Sequence, residues 1–124
     1  MESEAVITIL RRIESEEWHL VSSGVLSYEI SRTYDKVRKR LLYSAVRRAS
    51  EFIPVGQKTA VRAGELQRGL GIRAYDALHI ACAEQGGVAV FLSTDDRLVK
   101  AAKRNSEAIN IRVENPLIWL QEVV

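Results

Sequence analysis

The stretch Ala74–Lys103, AYDALHIACAEQGGVAVFLSTDDRLVKAAK, decides the fold. An acidic residue, Asp76, opens a helix over Ala74 to Gln85, and Gly86-Gly87 stops it. The continuously apolar run Val88 to Leu92 predicts a strand covered on both faces. That strand ends in Ser93-Thr94-Asp95-Asp96, and a second helix follows from Asp96 to Arg104. Carboxylates therefore stand at two helix starts, one of them also at a strand's carboxyl end. In an open parallel sheet, that edge is where ligands bind. Carboxylates gathered there suit a hard divalent cation, and such a cation suits phosphate chemistry.

Working outward, the same alternation continues in both directions. Val6, Ile9, Leu10 and Ile13 recur at helical spacing within residues 3–15. Trp18 to Val21 is a short β-prone run ended by Ser22-Ser23-Gly24, and Val25 to Arg32 predicts a short helix with Val25, Leu26 and Ile30 inward. Val37, Leu41, Leu42, Ala45, Val46 and Ala49 form the apolar stripe of the next helix. Phe52 to Val55 contains Pro54 and belongs at a sheet edge. Thr59 to Leu70 is helical and closed by Gly69 and Gly71. Ile109 to Val113 alternates as an edge strand does, and Pro116 introduces a terminal segment, Leu117 to Val123. Strands separated by helices predict a parallel sheet in a three-layer α/β/α domain, with 1–124 as one domain.

No apolar run approaches membrane-spanning length, and MESEAVITIL lacks the basic opening of a signal peptide. The one cysteine, Cys82, sits among alanines, which predicts a small buried hydrophobe and a reducing, cytoplasmic setting. The net charge of +2 does not by itself imply nucleic acid, but its distribution is uneven. Residues 32–48 hold Arg32, Lys36, Arg38, Lys39, Arg40, Arg47 and Arg48 against Asp35 alone. A basic helix beside an acidic pocket holds RNA backbone, while a charge run taken alone is a solvated helix face.

Each carboxylate has a plain structural reading. Asp76 matches the helix dipole, Asp95 or Asp96 is an N-cap, and Glu29 is an exposed helix glutamate. Taken together, consecutive βα connections bring Asp76 and Asp95 to one sheet edge, where adjacent acids repel unless a cation or a proton intervenes. His79, one turn after Asp76, is a metal ligand or, favoured because no second His or Cys stands at ligand spacing, a hydrogen-bonding core residue or a ligand's neighbour. Ser93 and Thr94 bond a bound phosphate or Asp95, since no serine–histidine–aspartate arrangement accompanies them. The glycines form no phosphate-binding loop.

The order Asp76-Ala77-Leu78-His79-Ile80-Ala81, then Phe91-Leu92-Ser93-Thr94-Asp95-Asp96-Arg97-Leu98, resembles PIN-domain ribonucleases, including the toxin halves of VapBC-type toxin–antitoxin pairs. The segments Val21 to Ile30 and Ile111 to Pro116 fit the same pattern, so the resemblance spans nearly the whole chain. It implies an endoribonuclease using Mg²⁺ or Mn²⁺. It also implies metal-binding and catalytic roles for Glu29, Asp76 and Asp95, an accessory acid at Asp96, and Ser93 as the hydroxyl residue before the last acid. RNA, an antitoxin protein and a second copy of the chain are the implied partners, with Arg32, Lys36, Lys39 and Arg40 toward RNA.

One departure stands out. The family begins with an apolar strand ending in its first aspartate, and residues 1–17 offer neither. The resemblance makes that strand the central one, between the strands at Trp18–Val21 and Val88–Ser93. Its absence implies a gap, a shifted strand or an edge supplied by another chain, and a weakened cation site, since affinity follows ligand charge count. Glu2 or Glu4, by charge alone, is a candidate substitute for the lost acid. Two further functions compete: an inactive PIN-like module that binds RNA or protein, and a phospho-acceptor receiver. The receiver needs a lysine at a strand end, whereas Lys100 lies on a helix.

Overall fold

The computed structural model describes residues 2–123, and side chains for residues 4–123. Glu2's side chain therefore lies outside the described residues, and Glu4 is exposed. In chain order the elements are α1 (Glu2–Glu14), β1 (Val21–Ser23), α2 (Gly24–Ser31), α3 (Lys36–Arg47), β2 (Glu51–Ile53) and α4 (Gln57–Leu70). Then come α5 (Ala74–Gln85), β3 (Val90–Leu92), α6 (Asp96–Arg104), β4 (Arg112–Glu114) and α7 (Pro116–Val123).

Helix ends follow local chemistry. The Asp35 side chain accepts from Arg38 N at 3.0 Å and caps α3. The left-handed Gly71, φ 69°, ends α4, a backbone state that a side chain would strain. At the end of α5 the chain passes so close to β1 that a Cβ on Gly86 would stand 3.0 Å from Val21 Cγ1.

Strand pairing is parallel throughout, as expected, but the single central sheet is not formed. Among the described residues, β1 pairs with β2 in the register Val21–Glu51, and β3 pairs with β4 in the register Val90–Arg112, as two separate two-stranded sheets. What joins them is side-chain packing. Ile9, Leu10 and Ile13 of α1 gather with Ala45, and with Trp18, Leu20, Leu92, Trp119 and Leu120 around them. The Trp18 and Trp119 rings meet edge to face at 4.8 Å. A second core joins Leu66 of α4, Ile80 and Ala81 of α5, Leu98 and Val99 of α6 and Val113 of β4, with Phe91 against it. Neighbours Phe91 and Leu92 thus feed opposite cores, as strand alternation requires.

Several boundaries shift from expectation. The strand expected at Trp18–Val21 lies at Val21–Ser23, because Trp18 serves as a core knob against Trp119. Ser22 and Ser23 are strand residues, and Ser23 Oγ then accepts from Leu26 N to cap α2. β2 stops at Ile53, before Pro54, which has no N–H to donate. β3 begins only at Val90 and is half-buried along its length, with Phe91 packed against one core on one face and Leu92 against the other core on the opposite face. Val37 is exposed at the start of α3, outside the apolar stripe. Val25, Ile30 and Cys82 are buried as expected, and burial pushes the Cys82 thiol up, consistent with an inert packing group.

Candidate functional site

The acids converge where α2, α5 and the start of α6 meet. Ile30 is buried at 1% exposure, and this anchors α2 so that its neighbour Glu29 sits at the rim, its side chain 55% exposed. Ala77 and Ile80 bury the inner face of α5 completely, and this leaves Asp76 half-buried at the first turn. The backbone between β3 and α6 is fixed by two bonds: Ser93 N donates to Glu114 O at 3.0 Å, and Asp95 N to Ser93 Oγ at 3.1 Å. Asp95 then caps α6, its Oδ1 accepting from Arg97 N at 3.0 Å and Leu98 N at 3.4 Å.

The electrostatics tie these positions together. Burial pushes the Asp76 carboxyl above its ordinary range, and the Asp95 and Glu29 charges push the same way, against opposing help from His79 and Arg73. Glu29 is lowered, first by His79 and then by Arg38, although partial burial works against both. His79 is 8% exposed at its side chain, with Nε2 3.0 Å from Glu29 Oε2. The approach lacks the alignment of a good hydrogen bond, so we treat it as an electrostatic contact. The imidazole is wedged between Tyr75 and Phe91, at 5.4 and 5.7 Å between ring centroids.

The remaining expected residues divide. Asp96 and Thr94 are exposed beside the cluster. Arg32 lies over the Tyr28 ring at 5.8 Å and donates to its hydroxyl at 3.2 Å. Lys36, Lys39 and Arg40 lie with Tyr43, Ser44 and Arg47 along one open face of α3. Lys39 also reaches the Ser31 carbonyl at 3.4 Å, tying this helix to α2 and Glu29.

The carboxylate set is of the right kind for a hard cation. It is not a closed shell: among the described residues no group of three or more His, Cys, Asp or Glu side chains is placed to hold a metal ion. Glu29 is drawn to His79, and one Asp95 oxygen is committed to its helix cap.

Compared with family profiles, residues 2–104 match the PIN domain. The chain belongs to the PIN domain family. A search of curated proteins finds no match, nor does a search of solved structures. PIN domains are in general nuclease-like, commonly bind RNA and typically use divalent metals. No helix among the described residues of this PIN domain is long and apolar enough to cross a membrane.

Sequence reasoning missed Tyr28, Tyr75 and Arg38. The tyrosines had a visible signal: each immediately precedes an acid, in Tyr28-Glu29 and Tyr75-Asp76. Arg38 stood in the basic run of residues 32–48, but only the packing of α3 beside α2 brings its charge to bear on Glu29.

Proposed function

We propose that this PIN domain is a divalent-cation-dependent endoribonuclease, the toxin component of a VapBC-type pair, in which Glu29, Asp76 and Asp95 hold Mg²⁺ or Mn²⁺ and Asp96 assists. The observation that carries this is the PIN-domain match over residues 2–104, with Asp76 half-buried and the charges of Asp95 and Glu29 acting on it. Mutual repulsion between acids half out of water favours a cation among them. When bound, such an ion supplies an activated water and neutralises charge on the leaving oxygen.

The chain's own groups have separate tasks in this reading. His79 draws the Glu29 carboxylate inward from α2. Ser93 and the α6 cap hold the Asp95 backbone in place. The cations of α3 and Arg32 attract the RNA backbone, giving salt-sensitive binding. The break between β1 and β3 is where the resemblance puts a central strand and its aspartate, and those open edges favour pairing of two copies. We read the whole as a three-layer α/β/α domain occupying 1–124.

The test is RNA cleavage with Mn²⁺ or Mg²⁺ by the native chain and by Asp76→Asn and Asp95→Asn. Loss of cleavage in both variants supports the assignment, and unchanged cleavage refutes it. A second reading is a non-cleaving module that binds RNA, favoured by the lack of a three-ligand group among the described residues. It expects salt-sensitive binding with no cleavage in either metal.

A further inference from the structure

Tyr28 and Tyr75 stand on different helices, yet their rings meet with centroids 6.2 Å apart at 56°. Both stay open to solvent, at 51% and 38% exposure. From Tyr75 the ring contacts run inward, to His79 at 5.4 Å and on to Phe91 at 5.7 Å. An exposed aromatic pair braced from beneath in this way loses little freedom when something stacks on it. Cations flank the pair on one side and acids on the other: Arg32 covers one part of Tyr28, Lys36, Lys39 and Arg40 lie on the adjoining helix, and the Glu29 charge acts on Tyr75. Glu29 and Asp76 follow the two tyrosines directly in sequence.

We propose that Tyr28 and Tyr75 form a stacking platform for an unpaired base of single-stranded RNA beside the acidic cluster. Arg32 and the α3 cations take the neighbouring phosphates. Flat rings among cations match a nucleotide, whose base stacks and whose phosphate carries charge, better than an apolar protein surface. Duplex RNA keeps its bases stacked on one another and has none to offer. The proposal rests on the nuclease reading for its substrate class only. It makes the two tyrosines positioning residues, since they touch a base and not the reacting phosphate.

The experiment is fluorescence anisotropy with a short labelled single-stranded RNA in EDTA, so that binding is read without cleavage. Tyr75→Ala and Tyr28→Ala should weaken binding roughly 5- to 100-fold, the range of one lost base–aromatic stack, while Tyr75→Phe and Tyr28→Phe keep it within about twofold. Replacing one nucleotide at a time by an abasic residue should abolish the Tyr75→Ala penalty at one or two positions only. Four results overturn the proposal: native affinity in both alanine variants, equal affinity for a duplex of the same sequence, no RNA binding by the native chain, or a changed oligomeric state in the alanine variants with RNA affinity intact. The last would mark the rings as a protein contact. A separate cleavage assay in Mn²⁺ keeps the two readings apart. A chain that binds through the tyrosines and never cuts refutes the nuclease and leaves the platform standing, whereas a chain that cuts with both alanine variants binding normally does the reverse.

Discussion

Glu29 Oε2 lies 3.0 Å from His79 Nε2, a contact between the outer face of α2 and the buried face of α5. It joins an exposed carboxylate to an imidazole that is itself packed between two aromatic rings. The histidine is therefore placed to fix where the carboxylate points. Replacing it by Phe should keep the packing and free the acid. In His79→Phe the Glu29 carboxyl should titrate nearer its ordinary range than in the native chain, because His79 is the leading cause of its lowering. Carboxyl NMR titration reads this directly, and an unmoved Glu29 would show that Arg38 alone sets its charge.

Asp76 should cost stability at neutral pH. Its pKa in the folded chain is raised, so the fold binds that proton more tightly than the unfolded chain does. The penalty is present above the folded pKa and is relieved as pH falls through it towards the ordinary carboxylate range. Asp76→Asn should thus raise the melting temperature at about pH 7 and change it less near pH 3. Thermal unfolding at the two pH values checks the sign.

Asp95 caps α6 and, in the proposed reading, also holds the cation, and the two roles can be separated. Asparagine caps helices about as well as aspartate, so Asp95→Asn should fold with native stability and lose metal-dependent cleavage by about 100-fold or more. Asp95→Ala should lose the cap as well, about 1 kcal/mol, because the N–H groups of Arg97 and Leu98 are left without their acceptor. Urea unfolding of both variants distinguishes the charge from the cap.

Glu114 should report acid unfolding. Burial pushes its carboxyl up, but the Asn115 N–H, Lys103 and Arg112 outweigh that and hold it at about 2. A depressed carboxyl stabilises the fold above its unfolded pKa, and that contribution is lost as pH falls from about 4 towards 2. Glu114→Gln should flatten the stability profile across that interval, and equilibrium unfolding at graded pH measures it.

Glu84 is the counterpart on the other side of α5. It accepts from Arg62 at 2.7 and 3.0 Å and from Asn110 N at 2.9 Å, with its side chain 9% exposed. Glu84→Ala should cost roughly 1–2 kcal/mol, since Arg62 loses both bonds to the carboxylate and keeps only the Ala108 carbonyl, while Asn110 N loses its acceptor. An Arg62→Met, Glu84→Leu double variant should recover much of that loss, as measured by chemical denaturation.

The sequence by itself determined the elements and their kind. Periodicity placed the helices within a few residues, because an apolar stripe such as Ile9, Leu10 and Ile13 can only be buried one way. The Gly86-Gly87 stop and the Ser93–Asp96 turn were equally local. Strand edges were less legible: Trp18 looks β-prone, but its ring is worth more in a core against Trp119, and that partner lies far along the chain. The acids could be named but not assembled. Asp76 is an ordinary helix-start residue until tertiary structure half-buries it, which raises its pKa, and brings Asp95 and Glu29 near enough to add to the rise. The split of the strands into two sheets, the docking of His79 on Glu29 and the meeting of Tyr28 with Tyr75 were likewise decided by tertiary structure alone. Each depends on contacts between residues distant in sequence, and local propensity carries no information about those.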